Sequence, residues 1–251
     1  MPEKISFLLA SSTTSKTGRL LARAITEAQG SPCWYYNKKI PPDPNKFHIR
    51  WGSFRRTSDN CLNTREAVRC AANKLEALQI MRTSGVSVPR LFLPPFEISS
   101  SVPRIFRNRY RYCANDNPLI VLENTGIDPA SCVSYDYAME FIETKTEYRV
   151  HVFNGNMIRV QKKTEGENAD PNIRTSKRGW VLRQAKLNNV PFSVINEGIN
   201  TVRALDLHFG AVDILYGYDK KAYVVEVNTG PALNGWGIAM YIQAILGYLL
   251  E

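Results

Sequence analysis

The stretch 211–233, AVDILYGYDKKAYVVEVNTGPAL, decides how this chain is read. Two apolar runs, Ala211–Tyr216 and Tyr223–Asn228, flank Asp219-Lys220, which is the composition of two strands joined by a turn. With a two-residue loop Tyr218 opposes Lys221, and counting back in pairs sets Asp213 opposite Glu226. Cross-strand partners share a face with Cβ atoms about 4.5–5.5 Å apart, and Asn228, two positions on, joins that face. Two carboxylates side by side among Val212, Ile214, Val224, Val225 and Val227 repel each other unless they are protonated or bridged by a cation. With the amide oxygen they make a hard-oxygen donor set suited to magnesium, which keeps phosphate oxygens and waters in its other positions. The bland alternative is the polar face of an exposed hairpin, and the apolar neighbours argue against it.

Upstream, Tyr137–Ile142 reads as a short strand and Glu147–Phe153 as a longer one. Asn154-Gly155 is a hairpin signal before Asn156–Lys163. Alternation puts Glu147, Arg149 and His151 on one face and Tyr148, Val150 and Val152 on the other. A strict two-residue turn brings Lys162 onto the Glu147 face, whereas a bulge brings Lys163 there instead.

The 251 residues, 44% hydrophobic and 22% charged, have an ordinary globular composition, which excludes a disordered or fibrous chain. No segment approaches the ~20 consecutive apolar residues of a membrane helix. Ile5–Ala10 is too short for a secretory signal and reads as a first strand, so a cytoplasmic location is expected. The five cysteines and three histidines are scattered, with no zinc spacing, and read as reduced thiols and structural imidazoles. The net charge of +9 favours an acidic partner without naming one.

After the first strand, Thr17–Gln29 reads as an amphipathic helix and Phe47–Trp51 as a strand, the parts of a small α/β unit with neither a Rossmann fingerprint nor a P-loop. A long helix is predicted over Thr64–Ser84, capped by Asn63 with Glu66 as capping-box partner and ended by Gly85. Its stripe Ala67, Ala71, Lys74, Leu78, Met81 puts a lysine on an apolar face, either snorkelling at the core edge or reaching a buried anion. Pro103–Asp116 interleaves four arginines with aromatics, as a single-strand nucleic-acid binder or a basic edge strand would. Gly166–Gly179 is polar and reads as a loop, a candidate lid.

These segments together resemble the ATP-grasp carboxylate-amine ligases. Asp213 and Glu226-x-Asn228 in VVEVNTGPAL look like that family's metal-binding end, with Asp213, Glu226 and Asn228 as ligands. MEFIETKTEYRVHVF resembles its adenine hinge, here Glu140, Phe141 and Ile142, followed by the ribose-holding acid, here Glu147. NKLEALQIMRTSGVSVP matches the helix with a phosphate lysine, Lys74, and PRIFR the strand with a second phosphate cation, Arg107. Lys163, with Lys162 as the alternative, matches a later cation near the transferred phosphate. NIRTSKRGW is similar to the substrate loop of the ribosomal-protein glutamate-adding and phage-encoded branches, which makes Arg174 and Arg178 candidates.

The resemblance covers about residues 63–251 and implies an α+β chain with the ATP-grasp fold. Two α+β lobes, 63–137 and 138–251, would grip the nucleotide after a short truncated α/β unit, 1–62. It implies ATP and Mg2+ as cofactors, a carboxylate substrate with an amine substrate, and an acyl phosphate between them. An acidic peptide or protein is a possible partner, nucleic acid is not favoured, and no membrane is involved. Two departures stand out. No glycine occurs between Gly85 and Gly126, where the family closes a glycine-rich loop, so Arg109 and Arg111 are candidate clamps. Ala211 occupies the place where some members carry a catalytic arginine, so Arg149 or Arg174 would take that role. The competing readings are a kinase on the same scaffold and a basic nucleic-acid-binding module.

Overall fold

The computed structural model describes residues 7–11, 15–36, 45–54, 60–96, 102–109, 119–121, 132, 134–171 and 174–249. It contains three sheets. The first, in the order β2-β1-β3-β4, is parallel and comprises β1 (Phe7–Ser11), β2 (Cys33–Tyr36), β3 (Phe47–Trp51) and β4 (Cys61–Leu62). Helix α1 (Lys16–Gln29) makes the β1-to-β2 crossover that a parallel pair needs, capped by the Ser15 side chain and closed by left-handed Gly30.

Where one helix was expected over Thr64–Ser84, there are two, α2 (Arg65–Ala72) and α3 (Lys74–Thr83). Thr64, not Asn63, caps the first, accepting from the Ala67 amide at 3.1 Å. Asn73 leaves helical geometry at φ −87°, ψ 95°, and its side chain accepts from the Glu76 amide at 3.3 Å to start the second. Asn63 has a different task. Fully buried and left-handed, it accepts from the His208 and Phe209 amides at 2.8 and 3.1 Å and donates to the Phe209 carbonyl, tying the first sheet to a later strand. The break leaves the expected stripe intact, because Ala67, Ala71, Lys74, Leu78 and Met81 are all buried.

A small sheet follows in the order β5-β8-β6-β7, built from β5 (Leu91–Phe92), β6 (Arg104–Arg107), β7 (Leu119–Val121) and β8 (Tyr137–Glu140). Strand β6 is internal, so the edge-strand reading of this basic stretch is corrected. Arg104 is buried with its guanidinium 4.2 Å from the Phe92 ring centroid, and Arg109 pairs with Asp136 at 3.1 Å. Arg111 lies outside the described residues.

The third sheet is antiparallel in the order β11-β10-β9-β12-β13, from β9 (Thr144–Phe153), β10 (Asn156–Glu165), β11 (Trp180–Gln184), β12 (Phe209–Gly217) and β13 (Ala222–Asn228). One face carries Tyr148, Val150, Val152, Val212 and Ile214, which pack with α2, α3 and α4 (Phe192–Ala204) in the largest core cluster. On the other face α5 (Gly235–Tyr248) covers one end. There Ile238, Tyr241 and Ile245 share a cluster with Phe153, Phe209 and the first unit's Phe7, Leu21, Ile49 and Trp51. The opposite end of that face is charged and faces the small sheet. No helix among the described residues is long and apolar enough to cross a membrane.

One close approach holds the first unit against the end of β13. Gly52, at φ +59°, donates its amide to the Thr229 carbonyl at 3.1 Å, and a Cβ on Gly230 would lie 2.9 Å from the Gly52 Cα and amide nitrogen. Both obstacles are backbone, so Gly230→Ala is expected to cost about 1–3 kcal/mol. Gly247→Ala, where a Cβ meets nothing within 4 Å inside a helix, should cost nothing. Urea titration of the two variants checks the contrast.

Candidate nucleotide and metal site

The charged face is built by strand register. Asp213 pairs with Glu226 on one side and Arg149 on the other, and Ala211 pairs with Asn228. Asp213 and Glu226 are opposite as expected, although the route differs. The turn holds three residues, Tyr218 to Lys220, with Lys220 left-handed and the Lys220 amide bonded to the Gly217 carbonyl. This shifts the pairs nearest the turn, Ile214 with Val224 and Leu215 with Tyr223, by one residue. A bulge between Asp213 and Ile214 takes the shift back. In the β9–β10 hairpin Phe153 faces Asn156, and a register shift between Met157 and Arg159 selects Lys163 over Lys162 for the Glu147 face. Lys163 bonds the Glu147 carboxylate and donates to the Arg174 carbonyl at 2.7 Å.

The carboxylates do not simply repel each other, because the chain supplies a cation to each. Arg149 forks onto Asp213 through Nε at 2.6 Å and Nη2 at 2.7 Å, Lys74 Nζ lies 3.9 Å from Glu226, and Lys163 holds Glu147. Burial pushes the Asp213 carboxyl up, but the Arg149 charge and its hydrogen bonds outweigh this and hold it below its ordinary value. Burial likewise raises Glu147, pulled back by Lys163 and pushed up again by Asp213, with a net rise. The guanidinium of Arg149 is correspondingly held more firmly charged.

A cavity of about 310 Å³ lies between the charged face and the small sheet. Of the residues expected at the nucleotide, Arg107, Glu140, Phe141, Ile142, Glu147 and Lys163 all line it, together with Arg174, Asp213 and Glu226. Apolar Ile105, Met139, Leu215 and Val225 complete the walls. Arg107 Nε is buried with no hydrogen-bond partner among the described residues, which suits a cation awaiting an anion. A second cavity, about 690 Å³, opens on the other side of Glu226 and Lys74, between Gly52, Phe54, α2 and the segment from Glu226 to Gly230. Glu226 borders both cavities.

Arg149 and Arg178 do not line the first cavity, and Lys74 and Asn228 line only the second. Arg149 is held beneath the cavity by Asp213. Arg178 pairs with Asp170 at 2.7 Å and does not line the cavity. Arg174, besides lining it, lies 4.7 Å over the Trp180 ring and donates to the Thr144 carbonyl at 2.7 Å. The loop Gly166–Gly179 is cross-tied, Gly166 amide to Gly179 carbonyl at 2.9 Å and Asp170 amide to Arg178 carbonyl at 3.1 Å. Its Pro171 and Thr175 reach the first cavity.

The chain matches no family model and no curated protein. Solved structures do match over nearly its whole length. The ATP-grasp ligase PsnB complexed with minimal precursor aligns at a TM-score of 0.71 and 11% identity, over 98% of this chain and 99% of that one. The macrocyclase MdnC bound with precursor peptide MdnA from Microcystis aeruginosa MRC gives 0.67 and 13%, over 98% and 100%. D-alanine–D-alanine ligase from Bacillus anthracis complexed with ATP gives 0.63 and 14%, over 97% of each chain. The chain has the ATP-grasp fold.

In this ATP-grasp chain sequence reasoning offered Lys74, Arg149 and Lys163 as site cations but missed the pairing of Arg149 with Asp213 and of Lys74 with Glu226, because those approaches depend on strand order and helix placement. It also missed the polar support under Arg149. His151, completely buried, carries its Nε2 proton toward Gln161 Oε1 at 3.0 Å and accepts from the Tyr241 hydroxyl through Nδ1 at 3.2 Å. Strict alternation with Arg149 on β9 was its only signal. As a donor set, Asp213, Glu226 and Asn228 fit magnesium. The Arg149 fork leaves Asp213 Oδ1 a second lone pair, and Asn228 is held beside the acid by its amide nitrogen, 3.4 Å from Asp213 Oδ2. Among the described residues no three His, Cys, Asp or Glu side chains are placed to hold one metal ion, so the donor set draws on the amide as well as the two carboxylates.

Two measurements check this electrostatic reading. Arg149→Met leaves Asp213 buried and unpaired and should cost about 3–5 kcal/mol in urea unfolding, whereas Arg149→Met with Asp213→Leu should recover most of it. Burial lowers His151 to about 4 from 6.5, so below pH 6.5 the unfolded chain takes up a proton that the folded chain refuses. Stability should fall through that window, by about 2 kcal/mol at pH 5 from this group. Its imidazole NMR signals should stay those of the neutral ring at that pH, and a midpoint near 6.5 would contradict the assignment.

Proposed function

We propose that the chain is an ATP-dependent carboxylate-amine ligase that binds ATP in the first cavity and activates a carboxylate presented from the second. The observation that carries this is the shared wall. Glu226 borders both cavities and Lys74, 3.9 Å from it, lines the second, so a phosphate at the Glu226 end of the first would face a carboxylate in the second. The segment from Glu140 to Ile142 is assigned to the base, the Glu147–Lys163 pair to the ribose and phosphate, and Arg107 and Lys74 to the phosphates.

Magnesium would be held by Asp213, Glu226 and Asn228, where it supplies Lewis-acid neutralisation of phosphate charge. The chain's own residues do the rest by position. Lys74, Arg107 and Lys163 offset the charge that phosphoryl transfer gathers on oxygen. Arg149 fixes the orientation of Asp213. A carboxylate oxygen attacks the terminal phosphorus and ADP leaves. The amine then attacks the acyl carbon, phosphate leaves, and the amine loses a proton. Arg174 at the cavity rim is assigned to the acyl intermediate, with Arg178 holding its loop. The division into 1–62, 63–137 and 138–251, the kinship with the glutamate-adding and phage-encoded branches, and a cytoplasmic location belong to the same reading.

Related folds support the ligands. PsnB has been solved with minimal precursor, Mg and ADP, and MdnC with its precursor peptide, which supports a peptide as the carboxylate partner here. Glu226→Gln and Asp213→Asn, each nearly isosteric, are expected to lower acceptor-dependent ADP release at least about a hundredfold. Release that needs both an acid and an amine supports the ligase. Normal release in either variant would refute the metal assignment, and a stable phosphorylated product would replace the ligase with a kinase.

A further inference from the structure

We infer that the first unit braces Asn228, the amide donor proposed for magnesium, and that Thr17 of α1 is its side-chain positioning residue, an inference that rests on the ligase reading. Asn228 is the last residue of β13. Asp213 and Glu226 face each other inside the ladder, and Arg149 forks onto Asp213, whereas the segment 229–234 past Asn228 has neither helix nor strand until Gly235 opens α5. Backbone without a ladder takes its shape from the groups that satisfy its amides and carbonyls. Two of those bonds go to the first unit. The Thr229 carbonyl, one residue past the donor, accepts from the Gly52 amide at 3.1 Å, and the Leu233 amide donates to Thr17 Oγ1 at 3.2 Å, across 216 positions of sequence.

Both ties stand on rigid ground. Buried Arg50 fixes the chain around Gly52 by donating to the Asn63 carbonyl at 3.0 Å and the Ser53 carbonyl at 3.3 Å, and Thr17 sits in the first turn of α1, just past its Ser15 cap. Leu233 packs its side chain against the cluster that holds Phe7, Leu21 and Ile49 of the same unit. The brace matters because the contact from the Asn228 amide nitrogen to Asp213 Oδ2, at 3.4 Å, is too long for a strong hydrogen bond. Magnesium tolerates little displacement of a ligand, and groups that orient a ligand from behind commonly change metal affinity by about ten- to a hundredfold. The Gly52 tie is backbone on both sides. The Thr17 hydroxyl is the tie that a substitution can cut.

The test uses the full chain with ADP and manganese(II) in place of magnesium, the bound metal read by electron paramagnetic resonance. Thr17→Val keeps the size of the side chain, removes the acceptor and leaves the Leu233 amide unbonded, so it should weaken manganese binding about tenfold. Thr17→Ser keeps the acceptor and should bind manganese like the unsubstituted chain. Thr17→Ala, which also lacks the acceptor, takes the place of the valine variant if that one does not fold. Binding of ADP without metal should be equal in all of them. Because Thr17 acts through Asn228, Thr17→Val should add little to the loss caused by Asn228→Ala. Full manganese affinity in Thr17→Val, an equal loss in Thr17→Ser, a loss of metal-free ADP binding, or an undiminished Thr17→Val effect on top of Asn228→Ala overturns the inference and leaves the ligase reading standing. An unsubstituted chain that binds no ADP or no manganese, or an Asn228→Ala variant that binds manganese in full, overturns the site assignment of the ligase reading and the inference with it.

Discussion

The pairing of Arg149 with Asp213 across the two central strands of the large sheet constrains everything around it. Both groups are largely withdrawn from water, which is costly for any charge, and only a bidentate geometry with satisfied neighbours offsets that cost. The strands must therefore hold their register rigidly. They do so because the alternate residues Val150 and Val212, also cross-strand partners, are locked into the apolar core beneath α4, where Gly198 brings the helix backbone close to Val150. In a strand one face cannot slip without the other, so hydrophobic packing on one side positions charge on the other. The helix α5 then dries one end of the polar face, and the remaining end becomes the site.

Charge matching gives that end its character. Three carboxylates, Asp213, Glu226 and Glu147, meet three cations, Arg149, Lys74 and Lys163, from β9, α3 and β10. The cluster is close to neutral as it stands. An anionic nucleotide would therefore need added positive charge to bind tightly, which the divalent ion proposed for the two carboxylates and the amide would supply without displacing the Arg149 fork.

The strands and their polar face were legible in the sequence because period-two patterning survives small errors of register. The position of Asp213 opposite Glu226 came out right through two deviations that cancel, a longer turn and a bulge, neither of which leaves a mark in hydrophobicity. The Lys162 or Lys163 choice stayed open for the same reason until the Met157 to Arg159 shift was seen. The break at Asn73 was hidden because it preserves the buried stripe on both sides. Asn63 resembled a cap, but its side chain is spent on the backbone of residues 145 and 146 positions away. Contacts over such separations have no local signature.

The same break at Asn73 links the two cavities. It lets α3 bury Leu75, Leu78 and Met81 in the core while α2 turns Arg65 and Arg69 toward the second cavity. Lys74, the first residue after the break, donates its amide to the Arg109 carbonyl at 2.8 Å, just past β6, and sends its side chain toward Glu226. One residue thus touches the small sheet that covers the first cavity, the acid shared by both cavities, and the helix that lines the second. A shift of the small sheet would pull on that amide, and so on the lysine and on α2. Under the ligase reading, this connectivity would link the cavity assigned to the nucleotide with the one assigned to the acceptor.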